Sequence, residues 1–315
     1  MRIGILGYGA IATQHALALS AIGCELVEVA GPNLEAAETF GRAQGVARAT
    51  NDAAGLISSD DIDGVVIASP NAVHAGQALQ CLEHGKHVLC EVPLGLSIAD
   101  VEQVARLSGA VDRRFMVCQT QRFLRPVQLL REQVPRETIK HVIIRLVLNR
   151  TSNVGITGRA RSWSDSLVWH HGSHAVDTAL WLLGDDVVEV AAFGAGGEED
   201  APLDFGGLIR TASGAIVTLA LSYTAQRPST DFMVIGEGET LIVERGALTS
   251  SSGRREEFDP EAVFVEAVSA QDAAFVEAVE TGVDASPTPA ELLRVYRTLG
   301  LLSDDAAGRN DPSRR

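Results

Sequence analysis

The first 22 residues, MRIGILGYGAIATQHALALSAI, place a short apolar strand, a glycine turn and a helical pattern in direct succession. Within GYGAIA, Gly7 allows a tight turn, Gly9 lets the backbone approach a pyrophosphate, and Ala12 permits close packing of helix on sheet. The helix N-terminus then faces the anion, because its first N–H groups have no partners inside the helix. A glycine motif between a strand and a helix predicts dinucleotide binding. The residues predicted to line this site are Gly7, Tyr8, Gly9, Ala10 and Ile11.

Strands and helices continue to alternate up to about residue 120. The strand IDGVVIASPNAVH is followed by a predicted helix over 73–84, and GKHVLCEVPLG by a second helix over about 97–108. Strands with nearly continuous apolar cores that alternate with helices are typical of a parallel, doubly wound sheet.

The pattern changes after about residue 120. Strands such as IKHVIIRLVLN and AIVTLALSYT follow one another through short polar links, which is typical of a mostly antiparallel sheet. One helix is predicted over 170–183, and two more near 270–281 and 288–302.

These patterns divide the chain into three parts. Residues 1–120 are predicted to form a Rossmann dinucleotide-binding domain. Residues 121–304 are predicted to form an α+β domain with a large open, mostly antiparallel sheet, which binds substrate and joins subunits. Residues 305–315 are expected to be a loose polar tail. The fold class is therefore α/β, with a doubly wound parallel sheet and a second α+β domain.

Charge and composition restrict the possible partners. The net charge of −15, with no basic stripe, argues against nucleic-acid binding. No apolar run reaches about 18 residues, so we expect neither a membrane span nor a secretory leader. Four cysteines without a CxxC pair fit a reducing cytoplasm. Arginine is common between residues 113 and 161, which indicates either an anionic small-molecule substrate or scattered surface arginines.

The end of the second strand bears on the choice of cofactor. A carboxylate usually stands there and bonds the ribose 2′-hydroxyl of NAD. In ELVEVAGPN the strand ends instead in Gly31, Pro32 and Asn33. Without a carboxylate, nothing at this point repels a 2′-phosphate. The sequence therefore favours NADP, with NAD as the alternative and Asn33 as a cofactor contact.

Three stretches together resemble one protein family. They are GYGAIA, SPNAVHAGQALQCLEHGKHVLCEVPL at 69–94, and an H-x-x-D pattern on the helix of the second domain. They resemble the glucose–fructose oxidoreductase and inositol dehydrogenase (Gfo/Idh/MocA) family along nearly the whole chain. The resemblance implies an NAD(P)-dependent dehydrogenase with a cis peptide bond before Pro93. It also implies a nicotinamide cleft lined by Ser69, Pro70, Asn71, His74, Glu91, Val92 and Pro93.

One position departs from the family pattern. The family's Glu-Lys-Pro motif is here Glu91-Val92-Pro93. The family's lysine would bond the reacting hydroxyl and supply positive charge as the hydride leaves, and valine can do neither. The protein is therefore either catalytically inactive or uses chemistry that does not need this lysine.

The stretch ARSWSDSLVWHHGSHAVD at 160–177 resembles one branch of the family, the 4-carboxy-2-hydroxymuconate-6-semialdehyde dehydrogenases of aromatic degradation, which also lack the lysine. The resemblance implies a substrate that reacts as its cyclic hemiacetal, passes hydride to NADP and becomes 2-pyrone-4,6-dicarboxylate. A hemiacetal hydroxyl is more acidic than a simple alcohol, so a histidine base can suffice without lysine.

Three histidines and an aspartate lie within WHHGSHAVD. The family pattern D-x-G-x-H-x-x-D begins here at His170, which replaces its first aspartate. On a regular helix His170, His174 and Asp177 share one face, whereas His171 points about a quarter-turn away. We predict His174 as the general base, with His170 sharing the proton or binding the oxygen. Asp177 either orients the ring of His174 or is a helix-packing carboxylate.

The spacing of these histidines has two other interpretations. Two histidines at i and i+4 also occur on zinc-binding helices. However, His171 stands where H-E-x-x-H has its glutamate, and no cysteine or acidic cluster elsewhere completes a site. We therefore expect no metal. The other interpretation is that these histidines are structural, with their polar atoms hydrogen-bonded between helix and sheet, and it applies above all to His171.

Two substrate carboxylates require cationic partners, for which the planar guanidinium fork is suited. Arg122 follows the last strand of the first domain, where ligands bind in doubly wound sheets. Arg161 precedes the histidine helix within the stretch that carries the resemblance. Arg150 and Arg159 are weaker candidates. Further substrate contacts are expected from Trp163, Trp169 and His171, although aromatic rings also pack in cores.

Two other functions are compatible with the sequence. One is a sugar or inositol dehydrogenase of the same family, against which the missing lysine counts. The other is a non-catalytic NADP-binding sensor, which only the missing lysine supports. The open sheet carries apolar residues on both faces, so we expect a homodimer or homotetramer formed through it, as in the family.

Overall fold

The computed structural model describes residues 1–150, 166–197 and 202–310. The chain folds into two compact units. The first comprises Met1–Thr120 and Val265–Leu293, and the second comprises Gln121–Phe264 and the residues from Arg294 onward. Residues 265–293 were predicted to belong to the second domain, whereas in the structure they pack within the first unit.

Six parallel strands form the sheet of the first unit: β1 (Arg2–Leu6), β2 (Glu25–Ala30), β3 (Arg48–Thr50), β4 (Gly64–Ile67), β5 (His87–Cys90) and β6 (Phe115–Val117). Their order is β3-β2-β1-β4-β5-β6, which is the order of a Rossmann fold. The central strands β1, β4 and β5 are buried along almost their whole length. This burial explains their nearly continuous apolar sequences, because helices cover both faces of such a sheet.

Five helices follow the strands of this unit: α1 (Ala10–Ala21), α2 (Leu34–Gln44), α3 (Ala53–Ser58), α4 (His74–Glu83) and α5 (Ile98–Ser108). The predicted bounds of α4 and α5 are confirmed to within one residue at each end. Ser97 begins α5, because its hydroxyl accepts a hydrogen bond from the N–H of Asp100 at 3.2 Å. The strand-like run RFMVCQTQRF at 114–123 forms a strand shorter than its apolar pattern indicates: β6 ends at Val117, and a 3₁₀ turn occupies Thr120–Phe123.

Eight strands form the sheet of the second unit: β7 (Ile139–Asn149), β8 (Val187–Ala195), β9 (Asp204–Thr211), β10 (Ile216–Ser222), β11 (Thr224–Gly236), β12 (Thr240–Glu244), β13 (Ala247–Ser250) and β14 (Arg255–Glu257). Their order is β14-β13-β12-β11-β7-β10-β9-β8. Strands β7 and β10 pair in parallel, and the other neighbours pair antiparallel. The predicted fold class, with a large and mostly antiparallel second sheet, is confirmed.

Four helices complete the described chain: α6 (Arg125–Gln133), α7 (Gly172–Leu183), α8 (Pro260–Thr281) and α9 (Pro289–Asn310). Helix α7 packs against β7 and β10. Helix α9 extends through much of the expected polar tail, because Leu302 and Ala306, one turn apart, are both buried. Helix α8 begins ten residues before the predicted 270. Across the described ranges, no helix has the length and apolar character needed to cross a bilayer.

Candidate active site

The turn between β1 and α1 has the geometry of a phosphate-binding loop. Gly7 has φ +107°, and a Cβ there would lie 2.3 Å from the carbonyl oxygen of Ala68, so only glycine fits. Gly9 stands at the N-cap of α1 in extended conformation, and a Cβ built on it would meet nothing within 4 Å. The first turn of α1 holds no acidic residue and no side chain caps it. A pyrophosphate therefore fits against the N–H groups that begin the helix, at Ala10 and Ile11.

Tyr8 and Asn33 lie together beside the end of β2. The Tyr8 ring occupies the space next to Gly31, where a Cβ would be 2.1 Å from a ring carbon. The Tyr8 hydroxyl accepts a hydrogen bond from the N–H of Asn33 at 3.2 Å. The side-chain oxygen of Asn33 accepts one from Ala36 at 3.0 Å and so caps α2. Asn33 therefore links the Tyr8 ring to the start of α2, and the strand end beside them carries no carboxylate.

The segment after β4 is joined to the segment after β5 by the side chain of His74. This side chain is buried, with Nε2 2.7 Å from the carbonyl oxygen of Ser69 and Nδ1 2.8 Å from that of Pro93. Asn71 is buried in the same turn, and Pro70 precedes it. The two segments that the family resemblance assigned to the nicotinamide cleft are thus adjacent, and the buried His74 ring is hydrogen-bonded to both of them.

The position of the missing lysine is filled by a core residue. The Val92 side chain is only 3% exposed. Its N–H donates a hydrogen bond to Oε2 of Glu91 at 3.1 Å, which folds the glutamate side chain back on its own turn. The expected cis peptide bond joins Val92 to Pro93.

A buried ionic cluster that the sequence analysis missed holds the other oxygen of Glu91. His15, on α1, is 0% exposed. Its Nε2 lies 3.0 Å from Oε1 of Glu91, and its Nδ1 lies 2.8 Å from Oδ2 of Asp272 on α8. The only signal in the sequence was a histidine among the apolar residues of α1. Its partner Asp272 is 257 positions away, and no motif marks it.

The same cluster meets the spacing of a metal site among the described residues. The ligand atoms of His15, Glu91 and Cys118 lie within 4.8 Å of one another. The imidazole, however, already bridges two carboxylates, and the Cys118 sulfur lies 4.0 Å from its Nε2. Burial raises the pKa of the Cys118 thiol well above its usual range, and the nearby Glu91 and Asp272 raise it further. Hydrogen bonds and charge therefore account for the arrangement of these side chains.

In the second unit, His170 and His171 lie on a π-helical turn, Leu167–His171, that leads into α7, and His174 lies on α7 itself. A π turn contains more residues than an α turn, so it rotates the side chains relative to a regular helix. The rings of His170 and His171 stack, with centroids 4.6 Å apart and planes at 14°. The centroids of His170 and His174 are 6.0 Å apart. His170 is therefore a neighbour of His174 and also of His171, which was expected to point away, and all three histidines are half-buried.

Tyr223, which directly follows β10, extends this histidine cluster. Its hydroxyl lies 2.8 Å from Nδ1 of His171 and its ring meets that imidazole edge-on. The guanidinium of Arg150 lies over the same tyrosine ring, 5.6 Å from its centroid. The backbone N–H of Arg150 donates a hydrogen bond to the backbone carbonyl of Tyr223 at 2.8 Å. Tyr223 was not among the residues predicted from the sequence. Its place on the alternating apolar face of LALSY was the available signal, because a buried tyrosine needs a partner for its hydroxyl.

Asp177 and Arg122 form an ion pair inside the second unit. Asp177 is fully buried and accepts hydrogen bonds from Nε of Arg122 at 2.7 Å and from its Nη2. Arg122 was predicted to bind a substrate carboxylate, just beyond the last strand of the first domain. In the structure it belongs to the second unit, and two of its donors bind a protein carboxylate.

The aromatic candidates divide between packing and undescribed positions. The ring of Trp169 stacks with that of Tyr296 at 6.0 Å, and Tyr296 is completely buried, so Trp169 packs on the core. Three further candidates, Arg159, Arg161 and Trp163, lie outside the residues that the structure describes.

The fold and the glycine turn define the class of the protein, one that binds a dinucleotide on a Rossmann sheet. The family model for the oxidoreductase family with an NAD-binding Rossmann fold (Gfo/Idh/MocA) matches residues 1–119. The model for the C-terminal domain of bacterial oxidoreductases matches residues 126–261. The chain belongs to the Gfo/Idh/MocA family and is an NAD(P)-dependent dehydrogenase.

Comparison with individual proteins agrees with this family. The chain is 31% identical to 4-carboxy-2-hydroxymuconate-6-semialdehyde dehydrogenase of Sphingobium sp. (strain NBRC 103272 / SYK-6). The alignment spans 309 residues and covers 96% of this chain and 98% of that protein. It is 29% identical to inositol 2-dehydrogenase 2 of Paenarthrobacter aurescens, over 79% of this chain and 76% of that protein.

Two solved structures share the fold. Levoglucosan dehydrogenase in complex with NADH aligns with a TM-score of 0.86 at 20% identity, covering 98% of this chain and 97% of that one. An oxidoreductase domain protein from Kribbella flavida aligns with a TM-score of 0.85 at 21% identity, with the same coverage.

Proposed function

We propose that this protein oxidises the cyclic hemiacetal of 4-carboxy-2-hydroxymuconate-6-semialdehyde, or of a similar carboxylated semialdehyde, with NADP as hydride acceptor. The product is the corresponding lactone, 2-pyrone-4,6-dicarboxylate. The observation that carries the proposal is the cluster of three adjacent histidines in a chain whose family lysine is the buried Val92. The 31% identity along 96% of the chain to an enzyme of that name supports the choice of substrate.

The reaction removes a hydride from the hemiacetal carbon and a proton from its hydroxyl. The cofactor, when bound, supplies the hydride acceptor. His174 takes the hydroxyl proton as general base, since neutral imidazole accepts a proton near pH 7. His170, whose ring is 6.0 Å from that of His174, shares the proton or binds the oxygen. The Tyr223 hydroxyl fixes the ring orientation of His171 in the same cluster.

The acidity of the substrate explains why lysine can be absent. The carbon that bears a hemiacetal hydroxyl also bears a second oxygen, which withdraws electrons and stabilises the developing oxyanion. An ordinary secondary alcohol lacks this stabilisation, and sugar or inositol oxidation therefore gains most from a cationic lysine. Val92 excludes water from its surroundings but supplies no charge.

The substrate carboxylates are assigned to arginines. Arg161, from the stretch that carries the family resemblance, is the first candidate. Arg150 is the second, because its half-buried guanidinium lies over the ring of Tyr223, beside the histidine cluster. Arg122 is a weaker candidate than the sequence indicated, since Asp177 engages it. Guanidinium groups bind carboxylates with two parallel hydrogen bonds.

The preference for NADP and the oligomeric state complete the proposal. Gly31, Pro32 and Asn33 leave no carboxylate at the end of β2 to repel a 2′-phosphate. The open sheet exposes Phe193 and Leu208 at 61% and 49%, which suits a self-association surface. We expect tighter binding of NADP than of NAD by calorimetry, and a homodimer or homotetramer by light scattering.

Incubation with NADP and a substrate panel tests the function. The panel contains carboxylated hydroxy-semialdehydes, inositols and hexoses, and the absorbance of the reduced nicotinamide reports turnover. Turnover confined to the carboxylated semialdehydes supports the proposal. Turnover of the polyols alone would contradict it and favour the inositol dehydrogenase alternative. Tight NADP binding with no turnover on any substrate would also contradict it, in favour of a sensor.

A further inference from the structure

Two buried histidines of the first unit hold the Glu91–Pro93 segment from opposite ends. His15 binds Oε1 of Glu91 at 3.0 Å, and His74 binds the carbonyl oxygen of Pro93 at 2.8 Å. Between these contacts, the N–H of Val92 donates to Oε2 of Glu91. The backbone and the acidic side chain of this segment are therefore fixed by two imidazole rings.

The partners of His74 determine its protonation. Nε2 faces the carbonyl oxygen of Ser69 at 2.7 Å, and Nδ1 faces that of Pro93 at 2.8 Å. Carbonyl oxygens only accept hydrogen bonds, and a neutral imidazole donates from only one of its nitrogens. Both bonds form only if both nitrogens carry a proton. The ring is completely enclosed, so a nitrogen that repelled its carbonyl partner would be costly.

The surroundings of His15 lead to the same charge. Its ring faces the carboxylates of Asp272 on α8 and Glu91 after β5, together with the neutral thiol of Cys118 after β6. Burial alone would lower the pKa of His15, but the charges of Asp272 and Glu91 and the hydrogen bonds to them raise it to about 10. A neutral His15 would leave two carboxylate charges in this buried cluster without compensation.

We propose that His15 and His74 both remain protonated in the folded protein and act as positioning residues that fix the Glu91–Pro93 segment of the cofactor site. The proposal rests on the proposed function only in assigning this segment to the nicotinamide. The two cations contact Glu91 and Pro93, the residues on either side of Val92, where the family has lysine.

The first test observes the protons directly in the wild-type protein. Long-range ¹H–¹⁵N spectra of ¹⁵N-histidine-labelled protein at about pH 8 report how many ring nitrogens carry hydrogen. We expect two N–H groups on both His15 and His74. His87 is the internal control with one N–H, because burial lowers its pKa and the nearby Arg113 and Arg114 lower it further. A single N–H on either His15 or His74 would overturn the proposal. So would zinc bound to His15 in the purified protein.

The second test measures positioning. His15→Gln and His74→Gln should each weaken NADP binding at least tenfold in calorimetry, whereas the exposed His84→Gln should leave it unchanged. Asp272→Asn removes one carboxylate from His15, so we expect NADP affinity to become dependent on pH between about 6 and 9. Asp60→Asn, at an exposed position, is the matched control, and its NADP affinity should not depend on pH in this range.

The outcomes separate this proposal from the function. Unchanged NADP affinity in both glutamine variants, with both rings doubly protonated, would contradict the positioning role and leave the enzymatic proposal intact. Failure of wild-type protein to oxidise any carboxylated semialdehyde would contradict the proposed substrate, and the spectra and NADP affinities would still decide the present proposal.

Discussion

Asp177 and Arg122 form a buried ion pair with two hydrogen bonds, Nε to Oδ2 at 2.7 Å and Nη2 to Oδ1. The arginine is 6% exposed and the aspartate 0%. The pair connects the turn before α6 to the middle of α7, one helical turn beyond His174. A residue expected to bind substrate and one expected to assist a catalytic histidine thus stabilise the helix that carries that histidine.

Arg122→Ala should lower the free energy of unfolding by about 3–5 kcal/mol, because it leaves the Asp177 carboxylate buried without its partner. Urea denaturation measures the change. Arg125→Ala is the control, since its ion pair with Glu132 is exposed and should cost less than about 1 kcal/mol. Equal losses of unfolding free energy in the two variants would show that the buried pair stabilises the fold no more than an exposed one does.

Gly9→Ala should keep the fold but weaken cofactor binding by about tenfold or more. A Cβ at Gly9 meets nothing within 4 Å, so the protein has room for it, but the methyl group occupies the approach of the pyrophosphate. Gly76→Ala on α4, which also has open space, should leave cofactor affinity unchanged. Calorimetric titration with NADP compares the two, and normal affinity in Gly9→Ala would remove the loop from the cofactor site.

His174→Asn should lower kcat by about two orders of magnitude or more, which is the usual contribution of a general base. Asparagine keeps a polar side chain, with its amide atoms near the position of the imidazole Nδ1, but cannot take the proton. Affinity for NADP should stay unchanged, because the cofactor loop lies in the first unit. Steady-state turnover with the carboxylated semialdehyde measures the effect, and near-normal kcat would exclude His174 as the base.

Arg161→Ala should raise KM for the dicarboxylated substrate by at least about tenfold with a smaller change in kcat, because one charge-assisted bidentate contact is lost. Arg210→Ala, on β9 next to the edge strand β8, provides an exposed control. An unchanged KM would exclude Arg161 from the carboxylate site.

The free energy of unfolding should fall as the pH rises from about 6.5 to about 10, because the folded state holds the proton of His15 more tightly than the unfolded chain does. The pKa of His15 is raised from 6.5 to about 10, so its contribution is complete below about pH 6.5 and is lost progressively up to pH 10. Each pKa unit corresponds to about 1.4 kcal/mol. The difference in unfolding free energy between wild type and His15→Gln, measured by urea denaturation from pH 6 to 10, should shrink by a few kcal/mol. A constant difference would contradict the assignment.

Much of the fold followed from the sequence because its signals are local. The succession of apolar strand, glycine turn and helix predicted β1 and α1 from fewer than 22 neighbouring residues, and the continuous apolar strands predicted a covered parallel sheet. The bounds of α4 and α5 agreed because capping and periodicity are properties of adjacent residues. The start of α8 was missed, and its return to the first unit could not be predicted, since nothing in one segment specifies which distant sheet it will cover.

The candidate site shows the same division. The sequence by itself determined the dinucleotide loop, the loss of the family lysine at Val92, and the presence of three histidines in one stretch. Only the tertiary structure decided their partners: a π turn brought His171 against His170 and Tyr223, Arg122 was bound by Asp177, 55 residues away, and His15 was placed between Glu91 and Asp272. The reason is physical. Helix and turn formation depend on neighbours along the chain, whereas the charge and orientation of a buried side chain depend on whichever groups folding brings within about 3 Å of it.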